Sequence, residues 1–266
     1  MNKIFLSVLL LLPALFPVQG QSWRALQQQA QKRGELASAR QIILLDSTAV
    51  SVAPSGTGTF TINKVILVQN RSGALANRVL KYDYDPLTAF AEFHRVNIYK
   101  ANGEVRPVDV GKTLDYTAPA RMIYWGARQI MLELGRLDPD IIEYEIHKKG
   151  FTYALLTDQP DEERFVPPMR GQFYDIVPFW CDDPTMRKVY SVTLPREKEM
   201  QFQFYQGECA SSMRYENDRK VYTFAKNNMM PVRREPNMVD LYDAAPKLMM
   251  SSTPHWKDKS LWFHKT

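Results

Sequence analysis

The length, composition and charge of this chain indicate a globular protein and argue against a nucleic-acid-binding or a membrane-surface protein. It has 266 residues, of which 45% are hydrophobic and 12% aromatic, enough to bury a substantial core in one large or two smaller domains. The net charge is only +5, and acidic and basic residues interleave along most of the chain. This mixed pattern lacks the basic block of a nucleic-acid-binding protein and the basic helix of a membrane-surface protein.

The first twenty residues have the pattern of a secretory signal peptide. Lys3 precedes an apolar core from Ile4 to Leu12, and the segment ends with Val18-Gln19-Gly20, at the positions that signal peptidase reads. The apolar core is well short of the roughly 20 residues that a membrane span needs, and no cysteine follows it to carry a lipid. We therefore predict cleavage near Gly20/Gln21 and a periplasmic or secreted chain without a membrane span. An uncleaved anchor is the alternative.

Residues 21–39 are expected to form an N-terminal helical arm. Ser22 can cap the helix, and Ala, Leu, Gln, Lys and Arg dominate the segment without any proline. Because Trp23, Leu26 and Ala30 line up poorly on one face, we predict that this arm is mobile or weakly docked.

From Gln41 onward the apolar residues recur at every second position, which is typical of β-strands. Gly, Pro, Asn and Asp cluster between the strands, and Asn102-Gly103 is a strong hairpin signal. Outside the central stretch described next, the strands that we predict are 41–52, 58–68, 90–99, 187–194, 200–205, 212–215 and 219–225.

The stretch from Asp115 to Leu156 has the densest apolar patterning in the chain. Within it, Gln129–Leu134 and Ile142–His147 both alternate at the strand period, and Gly135–Asp140 between them is rich in turn-forming residues. We therefore predict an antiparallel hairpin with one dry face, meaning a hydrophobic face that is buried from solvent. Such a face is buried against another layer, so the hairpin implies a second sheet or a helix on top of it.

Many short strands without a second helical pattern predict an all-β fold. We expect an antiparallel β-sandwich over residues 40–250, either immunoglobulin-like or a larger two-layer sandwich, preceded by the short helix. The acidic, proline-containing segment 157–168 is the expected place for a division into two sub-sheets. Residues 227–254 form either an extended segment across the sandwich or a C-terminal strand and loop, and residues 251–266 are expected to be a linker.

Motifs for the common catalytic and cofactor-binding classes do not occur in this sequence. It contains no G-x-S-x-G, H-E-x-x-H or C-x-x-C motif and no phosphate-binding glycine loop. The four histidines are scattered, and His94 and His147 fall within predicted strands among charged residues, where solvated side chains are the simpler interpretation. We therefore predict no metal site and no cofactor.

Cys181 and Cys209 are the only thiols of the chain. In an oxidising compartment they can form one disulfide, although a hairpin centred near Glu197 would place Cys181 roughly four residues from the position opposite Cys209. Unpaired structural cysteines and a reactive Cys181 are the alternatives. The last is disfavoured because the adjacent Asp182 and Asp183 raise the pKa of a neighbouring thiol.

One cluster of residues has the composition of a ligand-binding surface. Tyr124 and Trp125 lie between Arg121 and Arg128 in the sequence, and flat aromatic rings with guanidinium groups suit sugars, carboxylates or a partner protein. The alternative is that these side chains cap an open end of the sandwich, with the arginines paired to acidic loops.

Several longer motifs resemble a known family. They are YDYDP (82–86), PARMIYWGAR (119–128), LELGRL (132–137), KKGFTYALL (148–156) and, more weakly, WKDKS (256–260) with Trp262-Phe263. This pattern is similar to the domain of unknown function that precedes transglutaminase-like cores in secreted bacterial proteins, mostly from Bacteroidetes. One turn departs from the family pattern, because Asp138-Pro139-Asp140 stands where a glycine is expected.

The resemblance implies an immunoglobulin-like or related β-sandwich outside the cytoplasm, normally followed by a papain-like core with a Cys-His-Asp triad. No residue here matches the nucleophilic cysteine motif of that core, so no catalytic residue is assigned. The chain stops at Thr266, where the catalytic part would begin, and aromatic residues crowd its last positions. We therefore expect a truncated or split gene, or a stand-alone relative.

These observations predict a non-catalytic module that positions or binds substrate for a transglutaminase-like peptidase or amidase. Its partner would be that catalytic domain, in cis or in an adjacent reading frame. The alternative is a free-standing binding module for a cell-envelope glycan or peptide. An enzyme that acts through Cys181 and a histidine is the third hypothesis.

Overall fold

The computed structural model describes residues 22–117, 128–152 and 165–265. These residues form one eight-stranded sheet, two three-stranded sheets and four helices. The strands are β1 (Gln41–Val52), β2 (Gly58–Val68), β3 (Val79–Tyr84), β4 (Ala89–Tyr99), β5 (Val105–Pro107), β6 (Leu114–Thr117), β7 (Arg128–Glu133), β8 (Ile141–Gly150), β9 (Tyr174–Pro178), β10 (Thr185–Pro195), β11 (Gln201–Tyr205), β12 (Ala210–Glu216), β13 (Arg219–Met229) and β14 (Lys247–Ser251). The helices are α1 (Ser22–Gln31), α2 (Arg71–Ala76), α3 (Leu241–Ala244) and α4 (Trp256–Lys265).

The large sheet is mixed, with the strand order β12-β13-β10-β1-β2-β8-β4-β5. Strands β1 and β10 run parallel, with Val50 opposite Val192, whereas the other neighbours are antiparallel. This corrects the purely antiparallel sandwich that the sequence predicted. Alternation along a strand specifies which side chains face the core, but it carries no information about the direction of a neighbour that is distant in the chain.

Both small sheets pack against the same face of the large sheet. The sheet β3-β7-β6 covers β2, β8 and β4, and buries Leu132 and Ile142 in one hydrophobic cluster. The sheet β11-β14-β9 covers β13, β10 and β1, and buries Leu248 and Val192 in a second cluster. Ile62 of β2 contacts both clusters, so the two cores meet over the middle of the large sheet.

Strands β7 and β8 were predicted to form a hairpin, but they belong to different sheets. Strand β7 pairs with β3 and β6, whereas β8 pairs with β2 and β4. Their dry faces were identified correctly, because Ile130 of β7 and Ile146 of β8 lie in the same hydrophobic cluster. The segment 134–140 carries the chain from one layer to the other, so the two dry faces pack against each other across the core. In the same way β10 and β11 belong to different sheets.

Helix α1 covers part of the opposite face of the large sheet. Trp23 and Ala30 are each only 2% exposed, and the Trp23 ring lies 5.1 Å from the ring of Tyr99. The helix is therefore docked, which corrects the mobile or weakly docked arm predicted from sequence. Trp23 and Ala30 are two helical turns apart and share one face, so this pair alone is enough to attach the helix to β1 and β2.

Three of the predicted local hairpins are confirmed. Strands β4 and β5 pair across the Asn102-Gly103 turn, with Tyr99 opposite Val105. Strands β1 and β2 pair across the turn at residues 53–57. Strands β12 and β13 pair across Asn217 and Asp218, whose positive φ angles of 45° and 60° are typical of a type I′ turn.

The C-terminal region contains more regular structure than the sequence predicted. Strand β14 is the central strand of its small sheet, and most of the segment expected to be a linker, residues 251–266, forms helix α4. Among the four helices that the structure describes, none combines the length and the apolar composition needed to cross a membrane.

Candidate functional site

Three charged side chains lie next to one another on the face of the large sheet that the small sheets cover. Asp46 of β1 is opposite Lys188 of β10 on one side and opposite Lys64 of β2 on the other. The Lys188 ammonium donates a hydrogen bond of 2.9 Å to Asp46 Oδ2, whereas Lys64 Nζ lies 4.0 Å from the same oxygen. A β-bulge between Ile43 and Leu45 places Asp46 on this face, because the extra residue reverses the alternation of β1.

These residues form the floor of an open cleft of about 540 Å³ between the two small sheets. One wall is formed by residues of β3 and the turn before it, such as Leu80 and Lys81. The other is formed by the end of β9 and the segment after it, such as Pro178 and Trp180. The Trp180 ring is held edge-on against Tyr242 at a centroid distance of 4.8 Å. The cleft therefore combines a charged floor with an aromatic wall of fixed orientation, and its volume is in the range of small-ligand sites.

The charged groups on the floor of the cleft shift one another's pKa values towards the charged forms. Burial alone would raise the pKa of the Asp46 carboxyl, but Lys64 and Lys188 together lower it below its usual value. The pKa of Lys64 is raised, first by Tyr144, which acts only when its phenol is ionised, and then by Asp46. Burial raises the pKa of Tyr144, so this phenol is neutral near pH 7. At neutral pH the floor thus holds two ammonium groups and one carboxylate.

The acidic residues at the rim of the cleft are neutralised by other partners. Asp183 accepts hydrogen bonds of 2.8 and 2.9 Å from Arg40 and one from Gln41, and Asp182 pairs with Arg234 at 3.0 Å. Within the described residues, the Lys64 ammonium makes no hydrogen bond, and its nearest anion is the carboxylate already bonded to Lys188. The floor therefore has one cation in excess, which suits the binding of an anionic group such as a carboxylate.

The binding surface predicted from sequence is mostly outside the described part of the chain. Arg121, Tyr124 and Trp125 lie outside the described residues. Arg128 begins β7 and pairs with Asp115 of β6 at 3.0 Å. It is thus tied to an acidic residue of the neighbouring strand, and it lies at the start of the central strand of its small sheet, outside the lining of the cleft.

Cys181 and Cys209 are both free thiols in the structure, and each is partly buried. Cys181 lies at the rim of the cleft and donates a hydrogen bond of 3.3 Å to the carbonyl of Met230, while Cys209 packs against the second hydrophobic cluster. Burial raises the pKa of both thiols, and Asp182 and Asp183 raise the pKa of Cys181 further. Neither thiol has the lowered pKa of an activated nucleophile.

Two lysines within otherwise apolar rows of β2 and β10 are a signal for the cleft that is visible in the sequence. Along β2, every second residue from Phe60 to Val68 faces the small sheets, and Lys64 interrupts this apolar row. Lys188 similarly extends the inward-facing row of Tyr190 and Val192 on β10. A charged residue in an apolar row marks a buried polar site, but only the sheet order shows that these two rows are separated by one strand.

The fold and the cleft define a β-sheet module with a charged, ligand-sized cleft between its two small sheets. The chain belongs to the family DUF3857, described as a domain of unknown function with a solved structure, which matches residues 54–233. No curated protein matches the chain significantly.

Three solved structures match this chain over about four fifths of its length. A candidate protease from Parabacteroides distasonis matches with a TM-score of 0.64 and 12% identity, over 81% of this chain and 41% of that chain. An M1 zinc metallopeptidase from Deinococcus radiodurans matches with a TM-score of 0.38 and 12% identity, over 82% of this chain and 43% of that chain. A candidate nutrient-binding protein from Legionella pneumophila matches with a TM-score of 0.39 and 8% identity, over 82% and 68% of the two chains. The chain thus spans about two fifths of the length of the first two proteins, and these likenesses concern the fold alone.

Proposed function

We propose that this chain is a non-catalytic, extracytoplasmic binding module, built as a two-layer β-sandwich, that holds a peptide for a peptidase-type core. The cleft over Lys64 is its binding site, and the ligand group that it receives is a carboxylate. The observation that carries the proposal is the excess cation on the cleft floor: Lys64 keeps its ammonium donors available because Asp46 is hydrogen-bonded to Lys188.

The geometry of the cleft favours a peptide with a free carboxylate over a neutral ligand. An ammonium group in a partly buried site makes charge-assisted hydrogen bonds, which are about twice as strong as neutral ones. Lys64 is 30% exposed and Lys188 13%, so both are screened less than surface lysines. The ring of Trp180 offers an apolar wall for a neighbouring side chain of the peptide.

Two observations support the accessory role. The solved relative from Parabacteroides distasonis is described as a candidate protease, and this fold accounts for 41% of its chain. In the chain described here, Cys181 is unsuited to nucleophilic attack, because burial and two adjacent carboxylates raise its pKa. We propose that the catalytic chemistry lies in a separate core, in cis or encoded next to this chain, and the resemblance of the sequence motifs is what supports a transglutaminase-like core.

Replacing Lys64 by methionine is expected to abolish the preference of the protein for free carboxylates. The immobilised protein is exposed to an equal mixture of random tripeptides with free and with amidated C termini, and the retained peptides are quantified by mass spectrometry. We expect the wild-type protein to retain the free acids about tenfold better, corresponding to about 1.4 kcal/mol. Lys64→Met keeps the length of the side chain and removes the charge, so both sets should then be retained equally.

Lys112→Met is the matched control, because it removes an exposed lysine far from the cleft lining. It should retain the wild-type preference. Equal retention of both peptide sets by the wild-type protein, or an unchanged preference in Lys64→Met, would refute the binding site. Hydrolysis of the tripeptides by the chain alone would refute the non-catalytic role.

The accessory role is tested separately by the coding sequence next to this chain. A neighbouring segment that encodes Cys, His and Asp in the order of a transglutaminase-like triad supports a catalytic core in cis or adjacent. Unrelated neighbouring sequence contradicts it and favours the alternative, a free-standing binding module for a cell-envelope glycan or peptide.

A further inference from the structure

We propose that His94, Glu145 and His147 form a binding site for a divalent transition-metal ion. These residues lie on the face of the large sheet opposite the cleft, since Glu145 and His147 alternate with the inward-facing Tyr144 and Ile146. One ligand atom from each residue lies within 4.8 Å of the other two. The site is therefore separate from the proposed peptide cleft and does not depend on it.

The third ligand, His94, lies at a β-bulge of β4 next to the other two ligands on β8. Glu145 and His147 are two residues apart on β8, so they project from the same face of the sheet. The pairing of β4 with β8 shifts between Phe93 and Arg95, which leaves His94 as the extra residue of the bulge. Regular pairing continued from Phe93 would already place His94 across from Glu145, and the bulge puts Arg95 there instead. His94 and Arg95 therefore both lie beside Glu145.

The distances fit a metal ion after small side-chain rotations. His147 Nε2 is 2.7 Å and His94 Nε2 is 3.9 Å from the same oxygen, Glu145 Oε1, and the two imidazole rings stack at 4.0 Å with an angle of 15°. Ligand atoms bound to tetrahedral zinc at about 2.1 Å are about 3.4 Å apart. The two observed separations lie on either side of that value.

The surroundings fix the carboxylate and leave the histidines accessible. Glu145 is only 13% exposed, whereas His94 and His147 are 55% and 38% exposed. Arg95 lies 3.6 Å from Glu145 Oε2, the oxygen that faces away from the histidines, so Oε1 remains the metal ligand. Glu92 lies directly across from His147 on β4 and adds a second carboxylate to this face of the sheet.

The ligand set selects the class of metal. Two imidazoles and one carboxylate suit Zn²⁺ and its transition-metal neighbours, whereas Mg²⁺ and Ca²⁺ prefer sites made of oxygen ligands. Three protein ligands leave at least one coordination position of zinc open to water or to another molecule.

The proposal is tested by titrating Zn²⁺ into the full chain in metal-free buffer, with calorimetry as the readout. We expect one zinc ion per chain, and binding weakened about tenfold or more in His94→Ala and in His147→Ala. Mg²⁺ should not bind at this site. His255→Ala is the matched control, because His255 is exposed and lies outside the cluster, and it should bind zinc like the wild-type protein.

A thermal unfolding experiment provides a second readout that is independent of heat signals. Zinc should raise the Tm of the wild-type protein and of His255→Ala, and it should leave the Tm of His94→Ala unchanged, since a ligand stabilises only the folded state that binds it. His94 is exposed on a bulge, so this variant is expected to fold. Absence of zinc binding by the wild-type protein, or equal binding by His94→Ala and His147→Ala, would overturn the proposal.

Discussion

Leu248→Ala is expected to lower the free energy of unfolding by about 3.5 kcal/mol, the largest effect of a single side-chain truncation that we predict. Leu248 is the second residue of β14, the middle strand of its small sheet, and it is fully buried in the cluster between this sheet and the large sheet. The substitution removes apolar contacts and leaves a cavity between the two layers, which the paired strands on either side prevent from collapsing. Urea-induced unfolding of the two proteins measures the difference.

The neighbouring Met249→Ala provides the control for this experiment. Met249 is on the same strand, but its side chain points away from the large sheet and is only partly buried. We expect it to cost about 1 kcal/mol. If both substitutions cost the same, β14 does not pack on the large sheet through the face described above.

Asp46→Asn is expected to lower the free energy of unfolding by about 3 kcal/mol near neutral pH. The amide has the shape of the carboxylate but no charge, so Lys64 and Lys188 lose their shared counter-ion in a partly buried site. The pKa of Asp46 is lower in the folded protein than in the unfolded chain. Its stabilising effect is therefore complete above the unfolded pKa of about 3.9, and it is lost as the pH falls through the folded value.

The pH dependence distinguishes this charge effect from a simple loss of packing. The difference between wild-type protein and Asp46→Asn should be largest near pH 7, and it should narrow as the pH falls below the unfolded pKa of about 3.9 and through the lower pKa of the folded protein. Asp218→Asn serves as control, because the pair of Asp218 with Arg196 is exposed and should contribute less than about 0.5 kcal/mol. If the difference in free energy of unfolding between the wild-type protein and Asp46→Asn stays constant with pH, the proposed role of the Asp46 charge is contradicted.

Much of the local structure could be predicted from the sequence. The bounds of β1 and β2 agree with the alternation of their residues, and the Asn217-Asp218 turn between β12 and β13 was evident from its composition. The dry faces of β7 and β8 were also correct. These features depend on residues that are close in the chain, where side-chain period and turn chemistry act directly.

The pairing of distant strands could not be predicted in this way. Alternation does not predict the parallel pairing of β1 with β10 or the placement of β7 and β8 in different sheets. It shows which side chains face the core, but strands pair through backbone hydrogen bonds, and alternation does not specify the partner strand. Both candidate sites depend on this missing information. The bulge at Ile43–Leu45 decides which side of the sheet Asp46 occupies, and the bulge at Phe93–Arg95 puts both His94 and Arg95 beside Glu145. A shift of one residue is not visible in the hydrophobic pattern.

The parallel pairing of β1 and β10 also has a consequence for how the protein folds during synthesis. The ion pair of Asp46 and Lys188 joins residues that are 142 positions apart in the sequence. Strand β1 therefore emerges from the ribosome with one open edge that stays unpaired until β10 has been made. Because such long-range contacts form slowly, we expect the nascent chain to expose this edge for most of its translation and to depend on chaperones over that interval.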